Sequence, residues 1–205
     1  MTPPLRTKQP TEARQTGLVQ AALQLAAVQC PAEITTRDLA AEVGITQGAV
    51  FKHFDSKEAI WLAALDWVHE SLMARLRAGA VGHAARGALA ALRAVFVAHV
   101  DFVREHPGVP RLIFQELQQG RSSLLKDRVE ALMDAYRQLV AGLLEQARSE
   151  RSIAADVDTH AATVLFIGAI QGLVMQSLMA GSLDRIQRQA LAVYEIYARG
   201  LQRLQ

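Results

Sequence analysis

The sequence predicts an all-α fold of nine helices, and three observations carry that expectation. Ala and Leu together supply 61 of the 205 residues, and both are strong helix formers. Proline, which breaks a helix interior, is absent between Pro31 and Pro107 and again after Pro110. Apolar residues recur at three- and four-residue spacing along almost the whole chain. The composition is 51% hydrophobic and 20% charged with mean hydropathy +0.12, which is that of a chain able to bury a core and excludes wholesale disorder. A large multidomain enzyme is excluded by length.

The first ten residues, with Arg6 and Lys8 but no apolar run, read as a flexible arm and not as a secretory signal. Thr11 to Cys30 carries Leu18, Val19, Ala22, Leu23, Leu25 and Ala26 as a helical stripe that Pro31 closes. Short helices over 36–43 and 47–53 and a longer one over 57–78 each have their own opening signal. Thr35 with Asp38 has capping-box spacing, Thr46 follows the Gly44-Ile45 turn, and Asp55-Ser56 precedes Lys57. Gly79 and Gly82 mark a break. Ala84 to Glu105 follows with Leu89, Leu92, Phe96, His99 and Val103 on one stripe, and Pro107 opens a shorter helix that Gly120 ends. A helix over 122–150 aligns Leu125, Val129, Leu132, Tyr136, Leu139 and Leu143.

Residues 161–183 then run without a charge and place Gly168 and Gly172 in G-x-x-x-G spacing. The length matches a bilayer span. Gln171, Gln176 and Ser177 in its middle, and flanks without a basic cluster or aromatic belt, favour instead a helix buried in the fold on one face and against a partner subunit on the other. The last helix carries Leu183, Ile186, Ala190, Val193, Tyr197, Gly200 and Leu204 at alternating three and four, an a/d seam. No membrane partner is expected.

Charge does not point to a nucleic acid by itself: 22 basic against 20 acidic residues give +2. The single Cys30 forms no internal disulfide, as expected of a reducing cytoplasm. The histidines at 53, 69, 83, 99, 106 and 160 include no i, i+4 pair, so neither a metal site nor a cofactor is expected. The chain contains no G-x-S-x-G, no G-x-x-x-x-G-K and no G-x-G-x-x-G, and a non-enzymatic role is expected.

The pattern that carries function is TRDLAAEVGITQGAVFKHF over residues 36–54. Ala40 is small where two helices would cross, and Gly44 supplies a turn conformation that a Cβ resists. Leu39, Val43, Ile45, Val50 and Phe54 form a small core with the first helix. That leaves Gln47, Gly48, Phe51, Lys52 and His53 outward on the second helix, the kind of face a recognition helix presents to a major groove.

Residues 34–65, ITTRDLAAEVGITQGAVFKHFDSKEAIWLAAL, resemble the DNA-binding segment of the TetR family of bacterial regulators. The resemblance is carried by Thr35, Leu39, Ala40, Gly44, Ile45, Thr46, Gly48, Val50, His53, Phe54 and Lys57, with Phe51 where the family most often has Tyr. It implies a homodimer of nine-helix subunits, each with a flexible arm (1–10), a helix-turn-helix head (11–56) and a ligand-binding and dimerising body (57–205). It implies DNA contacts at Thr36, Arg37, Thr46, Gln47, Gly48, Phe51, Lys52, His53 and Lys57. A palindromic operator would then be read by two heads about 34 Å apart or a multiple of this, and released by a small apolar or amphipathic effector.

The body is expected to hold an effector pocket among Trp67, Phe96, His99, Phe102, Phe114, Gln118, Met133, Tyr136, Phe166, Gln171 and Met175. The dimer interface is expected at Gly168, Gly172, Met179, Ile186, Val193 and Tyr197. The rival reading is a helical small-molecule carrier or sensor without DNA binding, favoured by Phe51 and by a head carrying six basic against five acidic residues over 1–57.

Overall fold

The computed structural model describes residues 11–181 and 184–202. The arm with Arg6 and Lys8, and Leu183 and Leu204 of the a/d seam, lie outside the described residues. Among the described residues the chain forms nine α-helices and no strand: α1 (Thr11–Ala26), α2 (Thr36–Glu42), α3 (Gln47–Val50), α4 (Lys57–His83), α5 (Ala88–Glu105), α6 (Gly108–Gln118), α7 (Leu124–Ser149), α8 (Thr159–Met179) and α9 (Asp184–Leu201).

The helix starts are set by side-chain caps. Thr35 and Asp38 form a full capping box before α2, and Thr46, Ser56, Ser123 and Asp158 each accept a backbone N–H at the start of α3, α4, α7 and α8. Gly44, at φ +68°, makes the turn between α2 and α3.

Three departures from the expected boundaries bear on the packing. First, α1 ends at Ala26, and hydrogen-bonded turns carry the chain to Pro31. Second, α4 runs through Gly79 and Gly82 to His83. Gly79 serves close packing on α5, since a β carbon there would lie 3.3 Å from the Ala94 carbonyl oxygen, and the real break comes at Gly87 with φ +91°. Third, α3 is regular only to Val50; residues 51–53 continue as turns, with His53 N–H and Phe54 N–H both donating to Val50 O.

Packing divides along the chain. At one end, α1 packs on α2, α4 and α6, and α2 on α3. At the other, α5 lies against α4, α7, α8 and α9, and α8 against α7 and α9. Leu18, Ala22, Ile34, Leu39, Val50 and Ile60 are buried at the first end, and Leu92, Phe96, Tyr136, Phe166 and Ile170 at the second, in one continuous apolar core.

Helix α8 is long and apolar enough to cross a membrane, yet half of it belongs to this core: Phe166, Ile167, Ile170, Leu173 and Val174 point inward. The opposite stripe, including Val164, Leu165, Gly168, Gly172, Met175 and Met179, is bare. On α9 the buried stripe is Ile186, Ala190, Tyr194, Tyr197 and Leu201, while Leu191 and Ile196 are exposed. Ile186 and Tyr197, expected at a dimer interface, therefore belong to the subunit's own core. The physical reason is that an amphipathic helix lying on α5 and α8 buries its strongest apolar stripe there first, and Tyr197 Oη also donates to Ala162 O at 3.1 Å. Val193 is half-buried and Gly200 exposed.

Candidate nucleic-acid interface and ligand cavity

The helix-turn-helix is braced from within. Asp38 N–H donates to Thr35 Oγ1 (3.2 Å), and Asp38 Oδ2 accepts from Thr35 N–H (2.8 Å) and its hydroxyl (2.6 Å). These bonds hold the Asp38 carboxyl below its ordinary range, the Thr35 hydroxyl contributing most. Gln47 Nε2 donates to Thr36 Oγ1 at 2.9 Å, joining the first turns of α2 and α3. Gln15 of α1 donates to His53 O at 3.0 Å.

With Val50 buried, Gln47, Gly48, Phe51 and Lys52 all lie exposed, and Arg37 is exposed on the first turn of α2. Phe51 shows 48% of its surface. A β carbon on Gly48 would meet nothing within 4 Å, so the chain itself does not require glycine there. Thr36 is half-buried, and Thr46, though exposed, accepts the Ala49 N–H with its side chain.

Two residues sit differently from the expectation of open contacts. The His53 ring is half-buried, and its Nδ1 is enclosed without a hydrogen-bond partner among the described residues. Lys57 Nζ donates to Ala32 O and Ile34 O, both at 3.0 Å, and so clamps the loop between α1 and α2. Truncation of Lys57 to alanine should accordingly lower stability by about 1.5–3 kcal/mol, the range for hydrogen bonds from a charged group. Chemical denaturation checks this, and an unchanged midpoint would contradict the clamp.

In the body, a cavity of about 40 Å³ lies between α4, α5, α6, α7 and α8. Of the residues expected to line a pocket, it gathers His99, Phe102, Phe114, Met133 and Gln171. Six others lie elsewhere. Phe96 and Phe166 are fully buried core, ring against ring at 5.3 Å. Tyr136 is buried behind His99, its hydroxyl 3.0 Å from His99 Nδ1. Trp67 stands beside the cavity, 6.2 Å from the Phe102 ring and 5.0 Å from His106. Gln118 is exposed, and Met175 lies on the bare stripe of α8. A larger hollow of about 450 Å³ is an open groove between α4 and α5, rimmed by Arg75, Arg86, Arg93, Asp101 and Glu105.

Burial pushes the His99 imidazole down to about 4. In the unfolded chain the ring takes up a proton near pH 6.5, while the folded chain resists until about pH 4, so stability contributed by neutral His99 is lost as pH falls through that interval. Paired substitution of His99 and Tyr136 by Phe removes both hydrogen-bonding partners. Between pH 7 and 4.5 the native chain should lose about 2–3 kcal/mol more stability than this variant. Equal losses would contradict the enclosure of the ring.

Sequence reasoning missed the joint between the cavity and the helix-turn-helix. Helix α6 lines the cavity through Val109, Pro110, Ile113 and Phe114. Its other side touches the head: Gln115 Oε1 accepts from Ala32 N–H at 3.0 Å and from the Cys30 thiol at 3.5 Å. At Gly108 a β carbon would lie 1.9 Å from Leu23 O. The partners are more than eighty residues apart in sequence, and no local pattern signals such a pairing.

An outward recognition segment on a braced three-helix head, carried by a helical body, defines a helix-turn-helix transcription regulator. The chain belongs to the TetR family: the family model for bacterial regulatory proteins of the tetR family matches residues 18–64, and that for the tetracyclin repressor-like C-terminal domain matches residues 88–193. Among curated relatives, the nucleoid occlusion factor SlmA of Colwellia psychrerythraea is 25% identical over 160 residues, covering 78% of this chain and 80% of its own. Among solved structures, the MbdR regulator of Azoarcus sp. CIB superposes with TM-score 0.79 at 19% identity, over 91% of this chain and 97% of its own. The ketosteroid regulator KstR2 of Mycobacterium tuberculosis gives 0.77 at 23%, over 93% and 96%. FadR of Bacillus subtilis, solved with stearoyl-CoA, gives 0.76 at 18%, over 91% and 99%. At these identities the structural likenesses show the fold.

Proposed function

We propose that the protein is a ligand-responsive transcriptional repressor that binds a palindromic operator as a homodimer and is released by a small molecule held in the body. The observation that carries this reading is the exposure of Gln47, Gly48, Phe51 and Lys52 on a recognition segment that Val50 anchors from behind. Gln47 is the base-reading residue, held in register by Thr36. Arg37 and Lys52 take phosphates, the bare backbone at Gly48 admits close approach, and the Phe51 ring packs on the sugar edge.

The homodimer forms through the bare stripes of α8 and α9. Val164, Leu165 and Met179 are 57%, 59% and 81% exposed, and Gly168 and Gly172 between them let a second helix come near. Effector release runs through α6, which both walls the cavity and touches the α1–α2 loop. A molecule that enlarges the cavity displaces α6, and Gly108 and Gln115 carry the displacement to the head. A ligand favouring the displaced state lowers DNA affinity by its differential binding energy, typically about 1–3 kcal/mol.

Selection of bound duplexes from a random DNA library by the full chain tests the reading. The expected product is a palindrome with half-sites about one or two helical turns apart. Gln47→Ala should then relax preference at particular base pairs, and Lys52→Ala should weaken all sequences alike with a shallower salt dependence. No enrichment of any sequence would overturn the proposal in favour of a carrier without DNA binding.

A further inference from the structure

The cavity states its own ligand chemistry. None of its lining residues is Lys, Arg, Asp or Glu. The only ionisable group there is His99, which burial keeps neutral at ordinary pH. A charged group placed in this space would lose its hydration with nothing to replace it. Two polar groups face it nonetheless. His99 Nδ1 lies 3.0 Å from the Tyr136 hydroxyl, and the tautomer in which that hydroxyl donates to Nδ1 leaves the ring proton on Nε2. The side-chain amide of Gln171 has no hydrogen-bond partner among the described residues.

We infer that the cavity takes a neutral, mainly apolar molecule carrying one carbonyl or hydroxyl oxygen, which accepts a hydrogen bond from His99 Nε2, with Gln171 alongside. This assignment rests on the ligand-responsive reading of the body. The lining offers no counter-ion to an anion, so a carboxylate or phosphate inside this space is disfavoured. Two occupied faces make the selection: an apolar wall from α5, α6 and α8, and one fixed donor. At about 40 Å³ the cavity has room for only a few water molecules. Binding therefore requires the wall to open, and its adaptable parts are Met133 and the α6 side chains Ile113 and Phe114.

The test uses the full chain and four matched probes: naphthalene, 2-acetylnaphthalene, 2-naphthol and 2-naphthoate, titrated by calorimetry. The ketone and the alcohol should bind saturably, and at least tenfold more tightly than the carboxylate. Replacing both His99 and Tyr136 by Phe should weaken the ketone about five- to tenfold while leaving naphthalene within twofold. His99→Gln, which keeps an N–H donor, should recover most of the ketone affinity. Carboxylate binding equal to the ketone's, equal loss for naphthalene and ketone in the double variant, or no binding by any probe would overturn the assignment. DNA binding measured on the same samples separates the two readings: probe selectivity without DNA binding removes the regulator, and DNA binding without probe selectivity removes this ligand class.

Discussion

Replacing Gly108 by alanine should destabilise the protein by about 3 kcal/mol or more and loosen the head from the body. The new β carbon would fall 1.9 Å from Leu23 O, 2.9 Å from Ala27 N and 3.0 Å from Leu23 C. All three are backbone atoms of α1 or the residue following it, so no side-chain rotation relieves the overlap. Helix α6 must then retreat from α1. Retreat strains the Gln115–Ala32 bond and the cavity wall together. Overpacking against rigid neighbours costs about 1–3 kcal/mol in ordinary cores, and contact with backbone lies at the upper end. Urea unfolding measures the loss. On the proposed coupling, operator binding by the Gly108→Ala chain should also fall, because the displaced α6 imitates the effector-bound state. Native stability with alanine at this position would mean that α1 and α6 are not in the contact described.

The second large effect is expected at the bare stripe of α8. Leu165→Glu should convert a dimer to monomers and weaken operator binding by a hundredfold or more. Leu165 is 59% exposed in the single subunit, so glutamate there leaves the fold intact, and thermal stability of the isolated chain should change little. In a twofold interface the same substitution places two carboxylates near each other in apolar surroundings, where unpaired buried charge is costly. A head deprived of its partner then holds one half-site only. Sedimentation and DNA titration of the same sample read both consequences. A variant that stays dimeric would remove α8 from the interface.

Much of this arrangement is legible in the sequence because the local rules act over a few residues. Thr35 with Asp38, Thr46 and Ser56 cap the helices at the places their spacing indicates, and Gly44 makes the turn. Val50 inward with Gln47 and Lys52 outward follows from helical period alone. What sequence spacing does not convey is which neighbour each apolar stripe meets. The a/d pattern of α9 fits a partner subunit as well as the subunit's own α5 and α8, and Ile186 and Tyr197 went to the latter. Phe96, Phe166 and His99 share chemistry appropriate to a pocket, but only His99 borders the cavity. Lys57 carries a charge suited to phosphate, yet two carbonyls hold its ammonium. Gly79 and Gly82 look like a break, and packing on Ala94 carried α4 past them. In each case contacts distant in sequence outweighed a local preference.

On the proposed function, the exposed segment around Gln47 and Lys52 grips duplex DNA twice through a paired molecule. The most direct measurement of this is the stoichiometry of the full chain on the palindrome recovered by selection, compared with a shuffled duplex of equal length and charge. Two chains per palindrome, with binding to the shuffled duplex at least a hundredfold weaker at the same salt concentration, is the predicted result. One chain per duplex, or equal affinity for both duplexes, would contradict it.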